Sequence, residues 1–232
     1  MQIHSMQNPW SNLPLAPPYV LPRDRSVVDA FNARHSAAPD YTLQTHLLPE
    51  PFFGNISSRV YVLGLNPGYS PADDEWHANT EFADAIRDNH SHVCRGFPHY
   101  YLDPKFGDSP GSRWWRQKCR WLIDACGLEV VSQSLFCAEL FPYHSHKYKP
   151  VPKSIASDGL VPSSIYTVHL LRAAMNAGKA VVAMRAFKAW CRLVPELANY
   201  SNLHRLNSPQ NVSLSPKNLP RYDELVDAIS VA

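Results

Sequence analysis

The run Val60-Tyr61-Val62-Leu63-Gly64-Leu65, stopped by Asn66-Pro67-Gly68, limits what this chain can fold into more than any other stretch. Six uncharged, largely apolar residues have the length of a strand, and a strand without polar alternation must be covered on both faces. Sheets covered on both faces are as a rule parallel, because the crossovers between parallel strands lay helices over them. Two further runs have the same character, Ser134-Leu135-Phe136-Cys137-Ala138 and Ala180-Val181-Val182-Ala183-Met184, and Leu203 to Leu206 supplies a short fourth.

Helical spacing fills the intervals. Val27, Val28 and Phe31 share one face of a short helix from Ser26, and another helix is expected around Thr80 to Asp88. From Ser112 to Cys126 a stripe of Trp115, Cys119, Leu122, Ile123 and Cys126 runs to a stop at Gly127. A helix opening near Pro162-Ser163 and closing at Gly178 turns Ile165, Val168, Leu171 and Met175 inward, and Pro220 begins a last one with Tyr222, Leu225, Val226 and Ile229 on its inner face. Strands alternating with helices predict an α/β fold, a three-layer α/β/α sandwich around a central four-stranded parallel sheet. Residues 1–24, with Pro14, Pro17, Pro18 and Pro22, read as an extended arm, and residues 25–232 as one domain.

Composition narrows the partners. With 22 Lys and Arg against 20 Asp and Glu, whole-molecule attraction to a polyanion is weak, so nucleic-acid contact must come from local patches. Five cysteines without a C-x-x-C pair read as reduced thiols. No stretch approaches the roughly 18 apolar residues of a membrane span, so a soluble, cytoplasmic protein with no membrane partner is expected, and a monomer.

In a parallel sheet, ligands bind beyond the carboxyl ends of the strands, where loops converge. That rule selects Asn66-Pro67-Gly68-Tyr69, Glu139-Leu140-Phe141-Pro142-Tyr143, Arg185 and Asn207-Ser208-Pro209-Gln210-Asn211. Gly64-Leu65-Asn66-Pro67-Gly68 after a buried strand resembles the GxNPG first motif of the mismatch-specific and single-strand-selective branches of the uracil-DNA glycosylase superfamily. Leu206 to Asn211 is similar to the second motif of that superfamily, in the right order.

The resemblance implies a DNA glycosylase that hydrolyses the N-glycosidic bond of a flipped-out base and leaves an abasic site, with no metal or cofactor. It assigns Asn66 to hold the attacking water, and the main chain from Leu65 to Gly68, with Tyr69, to grip the base. Breaking the bond leaves cation character on the sugar and negative charge on the base, so fixed donors lower the barrier. Asp73 and Asp74 lie where they can face the cation. In strict register Leu206 takes the place of the second motif's usual His or Asn, so the donor to the departing base falls on Asn207 or on His204.

Relatives that remove uracil carry an Asn where this chain has Glu139. An ionised Glu only accepts hydrogen bonds; it would repel O4 of uracil and accept from the amine of cytosine. A modified cytosine is therefore the expected base, such as the hydroxymethylated or glucosylated bases of phage DNA, in antiviral defence. Burial that keeps Glu139 neutral would cancel this preference.

Phe97, Tyr100 and Tyr101 are candidates to stack on the base. His144, Lys147 and Lys149 form a basic segment suited to phosphate, with Arg185, Ser208, Gln210 and Asn211 as further DNA contacts and Gln210 as the wedge in the duplex. Alternatives are a uracil or mismatch repair glycosylase, a non-catalytic nucleic-acid or nucleotide binder, and a zinc-dependent hydrolase or zinc-held module built on His90, His92, Cys94 and His99.

Overall fold

A computed structural model describes residues 6–230 of the chain. Thirteen strands and helices of the described residues alternate as an α/β fold: α1 (Arg25–Arg34), β1 (Phe52–Gly54), β2 (Val60–Leu63), α2 (Ala72–Ala78), α3 (Thr80–His90), α4 (Pro110–Cys126), α5 (Leu128–Ser134), β3 (Leu135–Ala138), α6 (Ser164–Asn176), β4 (Ala180–Ala183), α7 (Phe187–Leu193), β5 (Leu203–Arg205) and α8 (Tyr222–Ser230). The four strands read from the sequence pair in parallel, but the sheet has five strands, in the order β1-β3-β2-β4-β5. The extra strand, β1, runs antiparallel to β3, with Phe52 opposite Ala138 and Gly54 opposite Phe136. The expected four-stranded parallel sheet is thus corrected to a mixed one. Three residues after Pro51, the last of them Gly54, are too few to show period-two alternation, so β1 leaves no mark in the sequence.

Every residue of β2, β3 and β4 is buried. Covering a Val, Leu or Phe side chain contributes about 1.5–3 kcal/mol, and this sets the strand order: the most continuous apolar run, β2, takes the centre. Gly54 sits at φ +107°, where an added Cβ would meet the Leu135 carbonyl, so β1 lies tight against β3 only because this residue lacks a side chain.

The helices follow the expected stripes with two differences. In α6 the buried face is Tyr166, Thr167, Val168, Leu170, Leu171, Ala174 and Met175, while Ile165 is exposed, since the helix starts at Ser164 and turns that residue outward. Helices α2, α5 and α7, each of seven residues, lie where no helix is expected; they are too short to repeat a stripe. From residue 6 on the proline-rich arm is docked, its first five residues lying outside the described ones: Trp10, Val20 and Leu21 are buried, and buried Asp24 accepts from Ser163 N (2.9 Å), the Ser163 hydroxyl and Tyr143 Oη (2.8 Å). No helix among the described residues is long and apolar enough to cross a membrane.

Candidate functional site

The connection that leaves β2 leads to β3 on one side of the sheet and the one that leaves β4 leads to β5 on the other, so the carboxyl ends of β2 and β4 form a topological switch point. A crevice opens at such a point in parallel sheets, and here a cavity of about 460 Å³ lies there. Its wall includes the loop after β2 from Gly64 to Ser70, Glu139 and His144 after β3, and Arg185 after β4. That volume is within the roughly 300–1,000 Å³ of small-molecule sites.

The loop after β2 is laced to the segment after β3. His144 Nδ1 meets the Gly68 carbonyl at 2.7 Å, Ser145 N donates to Pro67 O, and the Asn66 side-chain NH2 donates to Pro67 O (2.8 Å) and Ser145 Oγ (3.1 Å). Both amide protons of Asn66 are committed, which leaves Oδ1 as its hydrogen-bonding atom for a water. Asp73 closes the loop, accepting from Ser70 N at 2.6 Å and from the Ser70 hydroxyl. Tyr69 donates to Asp74 at 3.2 Å. On the far side Arg185 N donates to Leu63 O, and Trp190 of α7 donates its indole N–H to Gly64 O.

Glu139 follows the last residue of β3, and its backbone N–H donates to Pro51 O, the residue before β1. The carboxyl is buried and Oε2 has no partner. Desolvation pushes its pKa up to about 8, with the nearby charge of Glu50 adding to the rise and Arg185 and the Leu65 backbone N–H opposing it. Burial thus favours a protonated Glu139 at neutral pH, the alternative in which the carboxyl no longer turns away O4 of uracil.

Glu50 stands on the same wall and was missed, although its setting, Leu48-Pro49-Glu50-Pro51-Phe52, was a signal: a lone acid inside an apolar run is buried if the run is. β1 carries it to the end of β3. Tyr101 Oη lies 2.6 and 2.8 Å from the two Glu50 oxygens, His77 Nε2 is 3.8 Å from Oε1 and His144 Nε2 is 3.9 Å from it. Desolvation raises the Glu50 pKa, and His144 and Tyr101 oppose the rise.

Glu50, His77 and His144 offer ligand atoms within 4.8 Å of one another, but both Glu50 oxygens, both His144 nitrogens and His77 Nδ1 already have hydrogen-bond partners. His144 meets the Leu48 carbonyl through Nε2 as well as that of Gly68 through Nδ1, so both ring nitrogens have partners. His77 Nδ1 accepts from Leu48 N, and its pKa is held well below the usual value by desolvation, then by His144. The set fits a buried hydrogen-bonded cluster around Glu50 better than a metal centre. His90, His92, Cys94 and His99 form no such group among the described residues: His90 bonds Pro49 O, His92 bonds Tyr166 Oη, and His99 is buried against Phe53 and Trp115.

The cavity therefore gathers Leu65, Asn66, Gly68, Tyr69, Asp73, Tyr101, Glu139, His144 and Arg185 from the residues expected in a site, and adds Glu50, Trp114 and Tyr148. His144 is in its wall as a buried group and not on an exposed basic segment. Tyr100 is buried between Phe53 and Phe82 and, with Phe97, lines a different depression beside α3, so neither faces the cavity. Lys147 pairs with Asp40 at 2.6 Å, and Lys149 lies 4.6 Å over the Tyr41 ring. The Asn207–Asn211 loop is drawn to Asn218: Asn218 donates to Ser208 O and Asn211 O and accepts from Ser208 N. The Asn207 side chain is exposed and donates to Lys217 O, while Gln210 and Asn211 are exposed. His204 is buried in β5, bonded to Asn202. Neither candidate donor of the second motif lines the cavity.

No protein-family model matches the chain, and neither a curated protein nor a solved structure matches it.

Proposed function

We propose that the protein is a monofunctional DNA glycosylase of the uracil-DNA glycosylase type, fold included, which hydrolyses the N-glycosidic bond of an extruded pyrimidine nucleotide. One observation carries this reading: Asn66 and Glu139, at the carboxyl ends of adjacent strands, open into one cavity of pyrimidine-admitting size. Asn66, with its amide protons tied down, presents Oδ1 to a water, and Asp73 in the same wall supplies negative charge for the sugar cation. The neutral Glu139 carboxyl offers one donor and one acceptor to the base edge. Tyr101, Trp114 and Tyr148 provide aromatic surface. A neutral carboxyl fits the edge of uracil and that of cytosine alike. Excision of ordinary cytosine would ruin a host genome, so of the cytosine-type bases the substrate is a modified one, such as a hydroxymethylated or glucosylated base of foreign DNA, with uracil as the alternative and abasic sites as the product of either.

The test is incubation with single- and double-stranded DNA carrying uracil, cytosine, 5-hydroxymethylcytosine or its glucosylated form, followed by mild alkali and detection of the freed base. Strand breaks at a pyrimidine position are expected, and Asn66→Ala should slow base release by roughly 10²-fold or more, the scale on which a transition-state contact acts. Binding without any abasic site would leave a non-catalytic binder instead.

A further inference from the structure

A departing pyrimidine leaves an electron pair on its ring, and something must take up that charge. The second-motif loop does not line the cavity: Asn207 is turned to Lys217, and Asn218 holds the segment around it. Within the cavity wall two buried carboxyl groups remain, and their surroundings differ. Glu50 has the Tyr101 hydroxyl on both oxygens and the rings of His77 and His144 within 4 Å. Glu139 has the Leu65 backbone N–H and the guanidinium of Arg185, with the Cys137 thiol behind it on β3, and its Oε2 is buried without a partner. Two carboxylates sharing one low-dielectric wall do not both ionise. Both Glu50 oxygens have a hydrogen-bond partner and one Glu139 oxygen has none, which favours the charge on Glu50 and the proton on Glu139.

Resting on the glycosylase reading, we infer that Glu139 is the general acid of the reaction, delivering its carboxyl proton to N3 of a cytosine-type base as the glycosidic bond breaks. The C1′–N1 electron pair passes into the ring, an N3–H bond forms at the expense of the Glu139 O–H, and the base leaves neutral. The water oxygen bonds to C1′ and its surplus proton passes to solvent, from which the Glu139 carboxylate is reprotonated. The other carboxyl oxygen accepts from the amine at C4. Uracil and thymine already carry a proton on N3, so that nitrogen is closed to the acid and only a less basic carbonyl oxygen is left to take the proton. The preference for cytosine-type bases is thus one of rate, arising from an acid, and not one of binding, arising from a charge.

The experiment is single-turnover base release by the full chain from 5-hydroxymethylcytosine- and uracil-containing DNA, with DNA affinity measured alongside. Release of the cytosine-type base is expected to exceed that of uracil and to fall as pH rises through about 8, since the acid works only while protonated. Glu139→Gln keeps a donor and an acceptor but no transferable proton. It should lower the rate by roughly 10²–10⁴-fold, hold affinity within a few-fold and remove the alkaline limb, which a merely structural role would not do. Gln release at the wild-type rate, or wild-type release of uracil as fast as the cytosine-type base, overturns the general acid while leaving the glycosylase standing. If Glu139→Gln does not fold, the wild-type pH limb and base preference decide alone. No release from any of these DNAs overturns both readings.

Discussion

Gly64 and Glu139 occupy each other's space: a methyl group on Gly64 would run into both carboxyl oxygens. Gly64→Ala should therefore push the carboxyl out of place, slowing base release by about 10²-fold or more. Crowding of this kind costs about 1–3 kcal/mol of stability, so a melting curve taken beside the single-turnover assay separates loss of fold from loss of site. At this scale the sequence was most legible for Asn66, because an Asn that ends a doubly buried strand has few places to go. It was least legible for Glu139, whose position was readable but whose charge was not. Ionisation depends on the neighbours that burial brings, here Glu50, which lies 89 residues earlier in the chain just before β1.

Between elements, Asp24 ties the N-terminal arm and α1 to the start of α6 and to Tyr143 after β3. Asp24→Ala leaves those buried donors without an acceptor, at about 1–3 kcal/mol for each unsatisfied group, and should lower the melting temperature and speed proteolysis of the arm. The cluster of Glu50, His77 and His144 belongs to this scale as well. Since Tyr101 holds the Glu50 oxygens, Leu48 and Gly68 hold both His144 nitrogens and His77 Nδ1 accepts from Leu48 N, stoichiometric zinc or a chelator should leave the melting temperature unchanged; a zinc-dependent rise would make the cluster a metal centre. Strands β2, β3 and β4 were legible because doubly buried strands need runs of apolar side chains. β1 was not, and with it went Glu50.

The molecule as a whole carries buried groups of both kinds, and they set opposite slopes of stability with pH. His90 and His99 are held down to about 4 and about 3 by desolvation, and His77 is also lowered. The fold binds fewer protons there than the unfolded chain, so stability is lost as pH falls below their ordinary 6.5. Glu139, Glu50 and Asp24 are raised, all by desolvation first. The fold keeps protons that the unfolded chain releases above about 4.5 (3.8 for Asp24), so these groups lose stability as pH rises, in the case of Glu139 until about 8. Thermal melting followed against pH should show a broad maximum between about 4.5 and 6.5, where the two slopes oppose, and Glu139→Gln should lift the alkaline side. A maximum above pH 8 would contradict the burial assigned to these carboxyls.

The amino-acid order alone determined the α/β alternation, the four parallel strands and the place of Asn66, because hydrophobic periodicity and turn chemistry are local properties that a chain carries before it folds. The tertiary structure decided which loops meet. It drew the Asn207–Asn211 loop to Asn218, buried His144 against Glu50 and left Glu139 with a proton. Each of these outcomes is set by the distance between residues far apart in the chain and by the exclusion of water between them, quantities that no single stretch of sequence contains.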